Sequence, residues 1–267
     1  MNRSCQGLSV CVLGSGSKGN AIYVTDGSTS VLIDAGLSGK EIQRRMDIRG
    51  LSMEGVDAII ISHEHSDHIK GAGVLSRRFK LPVYINEKTY LAGEQIIGKP
   101  HDLNIMDCGT SFYINDLKLH PFSTSHDAAD PSGFSIEKNG TKIGLATDLG
   151  VASLVVKEHL RRSNLLIIES NHDPVMLIEN DNYPWQLKQR VKSRKGHLAN
   201  EEMSCLLAEL IHERLHHVIL AHLSEENNTP DLAMKSALRV LEGSVARLCV
   251  ACQHEPGEII RVQGAPY

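Results

Sequence analysis

No stretch of this sequence stays apolar for the roughly 18 residues that a membrane-crossing helix needs, so a membrane-spanning protein is excluded. Aromatic residues are scarce, 4 Phe and 1 Trp, which leaves no interleaved platform on which successive bases could stack and be read. Positive charge is not in excess: 28 Lys and Arg against 32 Asp and Glu give a net charge of −4. That excludes a protein that coats nucleic acid by bulk charge, though not a local basic patch. The opening MNRSCQGLSVCVLGSG carries no secretory leader, so a cytoplasmic location is expected, with Cys5, Cys11, Cys108, Cys205, Cys249 and Cys252 reduced. Cys249 and Cys252 form a C-x-x-C without the second pair a zinc ribbon requires. They read as buried core in a strand-like run, Ala246–Cys252. What the chain has in quantity is histidine, 14 in all, the commonest metal ligand.

A chain of 267 residues can bury well over half of its unfolded surface. No repeat or linker divides it, so residues 1–267 are expected to form a single domain. Strands are expected at Leu8–Leu13, Asn20–Thr25, Ser30–Asp34 and Val56–Ser62, then within 112–123 and 133–147, where Asn139-Gly140 reads as a hairpin turn. Further strands are expected at Leu165–Glu169, His217–Ala221, Val245–Cys252 and Glu258–Val262. Helices are expected after Ser38, with Glu41 as capping-box partner, and over Ile69–Phe79, Ala152–Arg162, Asn200–Leu215 with Asn200 as N-cap, and Pro230–Glu242. Residues 171–196 read as irregular or partly helical. Two strand-rich halves with interleaved helices suggest two sheets sandwiched between helices.

Gly14-Ser15-Gly16-Ser17-Lys18-Gly19 matches G-x-G-x-x-G, with Asp34 at about the ribose-carboxylate offset. The mechanism of that fingerprint needs a helix directly after the last glycine. Here an alternating strand pattern follows, so no nucleotide cofactor is expected. The segment reads as a tight strand–strand loop whose backbone N–H groups, with Lys18, could cradle an anion.

The strongest signal is His63-Glu64-His65-Ser66-Asp67-His68 directly after the strand Val56–Ile61. While the chain is extended, His63 and His65 project to one side and can grip one cation; Asp67 and His68 follow the turn and can face a second. So many ligand-type side chains at one strand end are costly to fold around unless something neutralises them. His126, Asp148 and His222 each follow an apolar strand as well. Singly each reads as a turn residue; together with the H-x-H-x-D-H they read as a metal site.

That chain order resembles the metallo-β-lactamase superfamily over most of the chain. The resemblance implies an α/β fold, a four-layer αββα sandwich, with two divalent metal ions at one edge. By motif, His63, His65 and His126 would hold one metal, Asp67, His68 and His222 the other, and Asp148 would bridge them. Glu169 in LLIIESNHD, His197 in GHLANEE and the run Tyr183–Arg190 resemble the YycJ/WalJ group, regarded as DNA exonucleases acting from 5′ ends. They are also similar to the Glu and His that assist the leaving group in tRNase Z. The group would carry serine where this chain has Ala199.

Two cations about 3.5–4 Å apart bridge a hydroxide at neutral pH and clamp a phosphate. The implied chemistry is in-line attack by that hydroxide, oriented by Asp67, with His197 as acid to the leaving sugar oxygen and Glu169 behind it. His172 and Asp173 lie in the same region as alternatives. Lys188, Arg190, Lys192, Arg194 and Lys195 precede His197. Such a run is usually a solvated face, but its place beside the acid suits a phosphodiester backbone. If it is helical, Lys188, Lys192 and Lys195 share a face. The expected partner is nucleic acid, DNA ends above all. Tyr183 and Trp185 either stack on a terminal base or pack internally. The remaining histidines, among them His216 and His217 after the long helix, read as structural. Zinc, manganese and iron all suit the ligands. RNA processing of the tRNase Z type, or thioester or lactone hydrolysis in the same fold, are the rivals. Against the last two stands the acid pair, since a thiolate leaves without a strong acid. A flavo-diiron oxidoreductase would carry an acidic residue at the position of His65.

Overall fold

The computed structural model describes residues 7–262; Cys5 lies outside them. Strands form where aliphatic residues run between Gly, Asn and Asp turns. The first half contains β1 (Leu8–Gly14), β2 (Ala21–Thr25), β3 (Ser30–Ile33), α1 (Gly39–Ile48), β4 (Ala58–Ile60), α2 (Ser66–Ile69), α3 (Ala72–Phe79), β5 (Pro82–Ile85), α4 (Glu87–Ile97) and β6 (Asp102–Ile105). The second contains β7 (Phe112–Ile114), β8 (Leu117–Ser123), β9 (Ser132–Lys138), β10 (Thr141–Ala146), α5 (Leu154–Leu160), β11 (Leu165–Glu169), α6 (Pro174–Glu179) and α7 (Trp185–Val191). It closes with α8 (Asn200–Leu210), β12 (His217–Ala221), α9 (Pro230–Leu241), β13 (Arg247–Val250) and β14 (Ile260–Val262).

These strands make two sheets of seven, ordered β14-β1-β2-β3-β4-β5-β6 and β13-β12-β11-β10-β9-β8-β7. Each sheet is part antiparallel meander and part parallel, with β3 to β6 parallel in one and β10 to β13 in the other. Alternate residues of one strand serve two cores. Leu165 and Ile167 of β11 meet the opposite sheet, while Leu166 and Ile168 meet α5, α8 and α9. Ala58 and Ile60 of β4 face inward and Ile59 faces the helices of the first half. Burial on both faces explains why these strands read as unbroken apolar runs. The result is the four-layer αββα sandwich that the resemblance implies. Its parallel strands bring their carboxyl ends to one edge, where side chains on the following turns can converge.

Several boundaries differ from the sequence expectation. The stretch Ile69–Phe79 is interrupted, because Gly71 N–H turns aside to the Ala35 carbonyl at 2.7 Å and α3 starts only at Ala72. Helix α8 stops at Leu210 with Ile211 as C-cap; Leu215, fully buried, extends the apolar stripe from a turn and not from helix. His216 and His217 therefore lead into β12 and are no helix-end charges. The N-cap of α8 is Ala199, not Asn200. Ser38 caps α1, but Glu41 turns its carboxylate to Arg44 and Arg45 and closes no box. Cys249 is half-buried and Cys252 exposed, so the C-x-x-C is not a core pair. Helix α4 and strand β6 had no sequence signal: α4 buries only Thr89, Gly93 and Ile97.

Candidate metal centre

Three side chains enter the site from an unusual backbone. Asp34 (φ 58°), Asp148 (φ 53°) and His222 (φ 56°) lie in the left-handed region just past the ends of β3, β10 and β12. An L-residue there costs on the order of 1 kcal/mol, and the packed strands that hold these turns outweigh it. Gly36 permits the next approach: a Cβ there would sit 1.5 Å from the Asp67 carbonyl. That close passage lets Asn20 N–H reach the same carbonyl at 2.7 Å and fixes the turn carrying Asp67 and His68.

The ligand-type atoms converge in two groups. His63 Nε2 lies 3.1 Å from His65 Nδ1, which lies 3.3 Å from His126 Nε2. His68 Nε2 lies 3.6 Å from Asp67 Oδ2, and His222 Nε2 lies 3.8 Å from that same oxygen. Asp148 stands between, with Oδ2 3.2 Å from His68 Nε2 and Oδ1 3.6 Å from His126 Nε2. Within each of the sets His63-His65-His126 and Asp67-His68-His222, the ligand atoms lie within 4.8 Å of one another. Buried Asp148 Oδ2 and His222 Nε2 have no hydrogen-bond partner among the described residues. Unsatisfied lone pairs aimed at one spot are what a cation would satisfy, so these residues fit a two-metal site.

In His63, His68, His126, His197 and His222 the other ring nitrogen is anchored. His63 Nδ1 contacts Ser62 Oγ at 3.0 Å, and His126 Nδ1 the Gly196 carbonyl at 3.1 Å. His68 Nδ1 lies 2.8 Å from Asp34 Oδ2. Asp34 also accepts from the Ser62 N–H and hydroxyl. In the sequence Asp34 stands out only by its ribose-carboxylate offset; that it holds His68 follows from the pairing of β3 with β4 in the fold. Glu169, fully buried at the end of β11, accepts from His197 Nδ1 at 2.9 Å and His222 Nδ1 at 2.8 Å through Oε1. Its Oε2 accepts from the Leu149 and Leu198 N–H groups. Each of these five imidazoles is thus held by one nitrogen while the other is presented to the site.

Electrostatics divides the cluster. Burial holds His63 well below the usual imidazole range, with repulsion from His68 adding to it, and burial lowers His126. Burial opposes charging His68, yet Asp34 and Asp148 outweigh it and raise its pKa to about 10. Burial likewise opposes the charged forms of His222 and His197, but Asp148 raises the first and Glu169 the second. Asp148 and Glu169 resist burial through the same pairs and are held low, Glu169 at about 2. A divalent ion would displace the protons of His68 and His222 and keep the charge balance.

The beta-lactamase superfamily domain matches residues 29–222. The chain belongs to the metallo-β-lactamase superfamily. It is 42% identical to exodeoxyribonuclease YycJ of Bacillus anthracis over 88% of this chain and 90% of that protein. It is 37% identical to exodeoxyribonuclease WalJ of Streptococcus pneumoniae over 85% of this chain and 86% of that one. In fold it is similar to YhfI of Bacillus subtilis, with TM-score 0.73 and 18% identity over 94% of this chain and 99% of that one. It is also similar to the short form of human tRNase Z, with TM-score 0.65 and 16% identity over 96% and 99%.

In this metallo-β-lactamase-fold chain the centre opens to a cavity of about 210 Å³ lined by Ser17, Asp127, Leu187, Arg190, Val191 and His197 beside the ligand set. A wider cleft of about 900 Å³ lies around the Asn139-Gly140 turn, at the opposite end of β10, with no convergent ligand set. The basic run divides. Arg190 is exposed on the cavity wall, its Nε 2.6 Å from Asp127 Oδ2. Lys188 is buried and donates to the Ile178 carbonyl at 2.6 Å, so it is no phosphate contact. Helix α7 ends at Val191 with Lys192, exposed, as its C-cap; Arg194 and Lys195 lie beyond the cap, exposed, so no helical face runs from Lys188 to Lys195. Lys18 pairs with Glu225 at 2.6 Å. The N–H groups of Ser15, Gly16, Lys18, Gly19 and Asn20 all donate to protein acceptors, so the glycine loop is no anion cradle. Trp185 is 64% exposed, not internally packed. By helical phase it points away from the face of α7 formed by Leu187, Arg190 and Val191, so it stacks on no base inside the cavity. Asp173 caps α6, burial lowers the His172 pKa to about 4, and neither lines the cavity as His197 does. No helix is long and apolar enough to cross a membrane among the described residues.

Proposed function

We propose that this chain is a metal-dependent phosphodiesterase that degrades DNA from 5′ ends. The observation that carries it is the sharing of Glu169 Oε1 between His222, at the metal centre, and His197, on the cavity wall. Acid assistance tied to a metal ligand suits a poor leaving group such as a sugar alkoxide, and a thiolate does not need it. The names of the relatives at 42% and 37% identity support DNA as substrate.

His63, His65 and His126 with Asp67, His68, His222 and Asp148 would hold a pair of divalent ions, which would make hydroxide available at neutral pH and offset charge on phosphate oxygens. The chain's own residues do the rest. Asp67 orients the attacking water and accepts its proton. Glu169 fixes the tautomer of His197 and raises its basicity, so Nε2 carries a proton toward the cavity. That proton passes to the departing sugar oxygen. Arg190 at the rim meets a phosphate by exchanging its partner Asp127.

The test is incubation of 5′- and 3′-labelled DNA, matched RNA, and a thioester with manganese or zinc. Expected is shortening of DNA from the 5′ end, lost in His65→Ala and Asp148→Ala variants that keep the wild-type circular dichroism. Thioester hydrolysis with intact DNA would overturn the proposal.

A further inference from the structure

Beyond Glu169 and Ala221 the β11–β12 ladder ends, and the segments leaving it keep only scattered backbone bonds, such as Ser224 N–H to the Asn171 carbonyl and Asn200 N–H to the His172 carbonyl. Buried asparagine amides add to them. Asn200, 1% exposed, and Asn228, 5% exposed, face each other as a reciprocal amide pair, Nδ2 to Oδ1 at 2.9 Å in both directions. Asn200 Oδ1 also accepts from Ser170 Oγ at 2.6 Å. Asn228 Nδ2 also donates to the carbonyls of Ser170 at 2.8 Å and Asn171 at 3.1 Å. Asn171 Nδ2 donates to the His222 carbonyl at 2.8 Å, and Asn171 N–H donates to the Leu198 carbonyl at 2.9 Å. The chain just after Glu169 is therefore clamped to the chain just after His197 and to the chain running on from His222.

We infer that the Asn200–Asn228 pair is the positioning element that lets one Glu169 oxygen serve His197 and His222 at once. An amide carries two N–H donors and two acceptor lone pairs, so Asn228 gives one N–H to Asn200 and shares the other between the carbonyls of Ser170 and Asn171. Neither residue lines the cavity, and both act through Glu169. Were the clamp loosened, the turns bearing His197 and His222 would drift independently, and a bond shared at 2.9 and 2.8 Å tolerates little drift. The inference rests on the proposed role of His197 for its catalytic part, but not for its metal-binding part.

The experiment compares Asn200→Ala, Asn228→Ala, the double variant and the milder Ser170→Ala, which removes one bond only. Three quantities are read: thermal stability, zinc dissociation against a chelating indicator, and kcat and KM on 5′-labelled DNA. Expected in each alanine variant is weaker zinc binding and a kcat lower by about 10–100-fold, the range for lost outer-shell partners, with KM little changed. The double variant should add little to the larger single effect, because the pair acts as a unit. Ser170→Ala should move zinc binding and kcat the same way by less. If Ser170→Ala and the folded fraction of the others keep wild-type zinc release and kcat, the pair is merely structural and the inference fails. If the wild type leaves DNA intact, the nuclease proposal fails alone, and zinc release still decides this one.

Discussion

His222 Nδ1 lies 2.8 Å from Glu169 Oε1, so a ligand-type imidazole at the end of β12 is oriented by a carboxylate at the end of the neighbouring strand. Because that oxygen also takes the His197 N–H, and Oε2 takes two backbone N–H groups, Glu169 has no free acceptor to lose.

Glu169→Gln should therefore do more than remove a charge. Whichever way the amide is placed, its NH₂ faces N–H donors, either two imidazoles or two backbone groups. The expected result is weaker binding of the ion held with Asp67 and His68, and a kcat lower by about 10–100-fold. Metal content after dialysis and single-turnover kinetics check it; unchanged values in both would remove Glu169 from the centre.

Strand ends were legible because residue types recurred: a lone His or Asp after an aliphatic run reads as a turn residue, but His126, Asp148 and His222 together with the H-x-H-x-D-H read as one site. The bounds of β11 and β12 were legible because their apolar runs stop at polar residues. Partnerships were not legible. Nothing local to Asp34 announces that it holds His68, and nothing at Glu169 reveals a shared oxygen, since both depend on strands that pair only in the fold. Lys188 misled as part of a basic run because a lysine can bury its stem and satisfy its ammonium on a carbonyl. Helix α4 was missed because its exposed Leu91 and Ile96 blur the apolar stripe.

The divided basic run makes a prediction about salt. Arg190→Ala and Lys192→Ala should each weaken DNA binding and flatten its dependence on salt by about 0.7 per lost contact, the value for single strands. Arg190, on the cavity wall, should have the larger effect on turnover. Lys188→Ala should lower the melting temperature by loosening α7 from the Ile178 carbonyl and leave the slope alone. Binding isotherms at several salt concentrations separate these; an equal slope change in Lys188→Ala would restore it as a phosphate contact.

Part of the acid sensitivity should trace to Glu41, outside the metal centre. Its hydrogen bonds from Arg44 and, against the cost of burial, from Arg45 lower its pKa to about 2. Arg45 is itself buried and donates to the Leu13 and Gln253 carbonyls, bracing the end of β1. A depressed carboxyl pKa gives stability that is present above the unfolded value of 4.5 and lost as pH falls toward about 2. Glu41→Gln should thus be less stable than wild type at neutral pH, with the difference shrinking across that window. Urea unfolding at pH 7, 4 and 3 measures it; a constant difference would mean the ion pair is not the cause.

Ala199 sits at the N-cap of α8 with φ −70° and ψ 160°, a conformation in which a serine hydroxyl accepts from the first-turn N–H groups. The other half of a capping box is already in place, since Glu202 Oε2 accepts the Ala199 N–H at 3.0 Å. Ala199→Ser should therefore stabilise the fold by about 1 kcal/mol, raising the melting temperature by about 2–4 °C for a chain of this size. Because the hydroxyl would face the helix and not the cavity, kcat should stay as it is. Calorimetry and a DNA-cleavage assay on the same sample test both halves. A rise in kcat without a rise in melting temperature would place that side chain in the reaction and not in the helix cap.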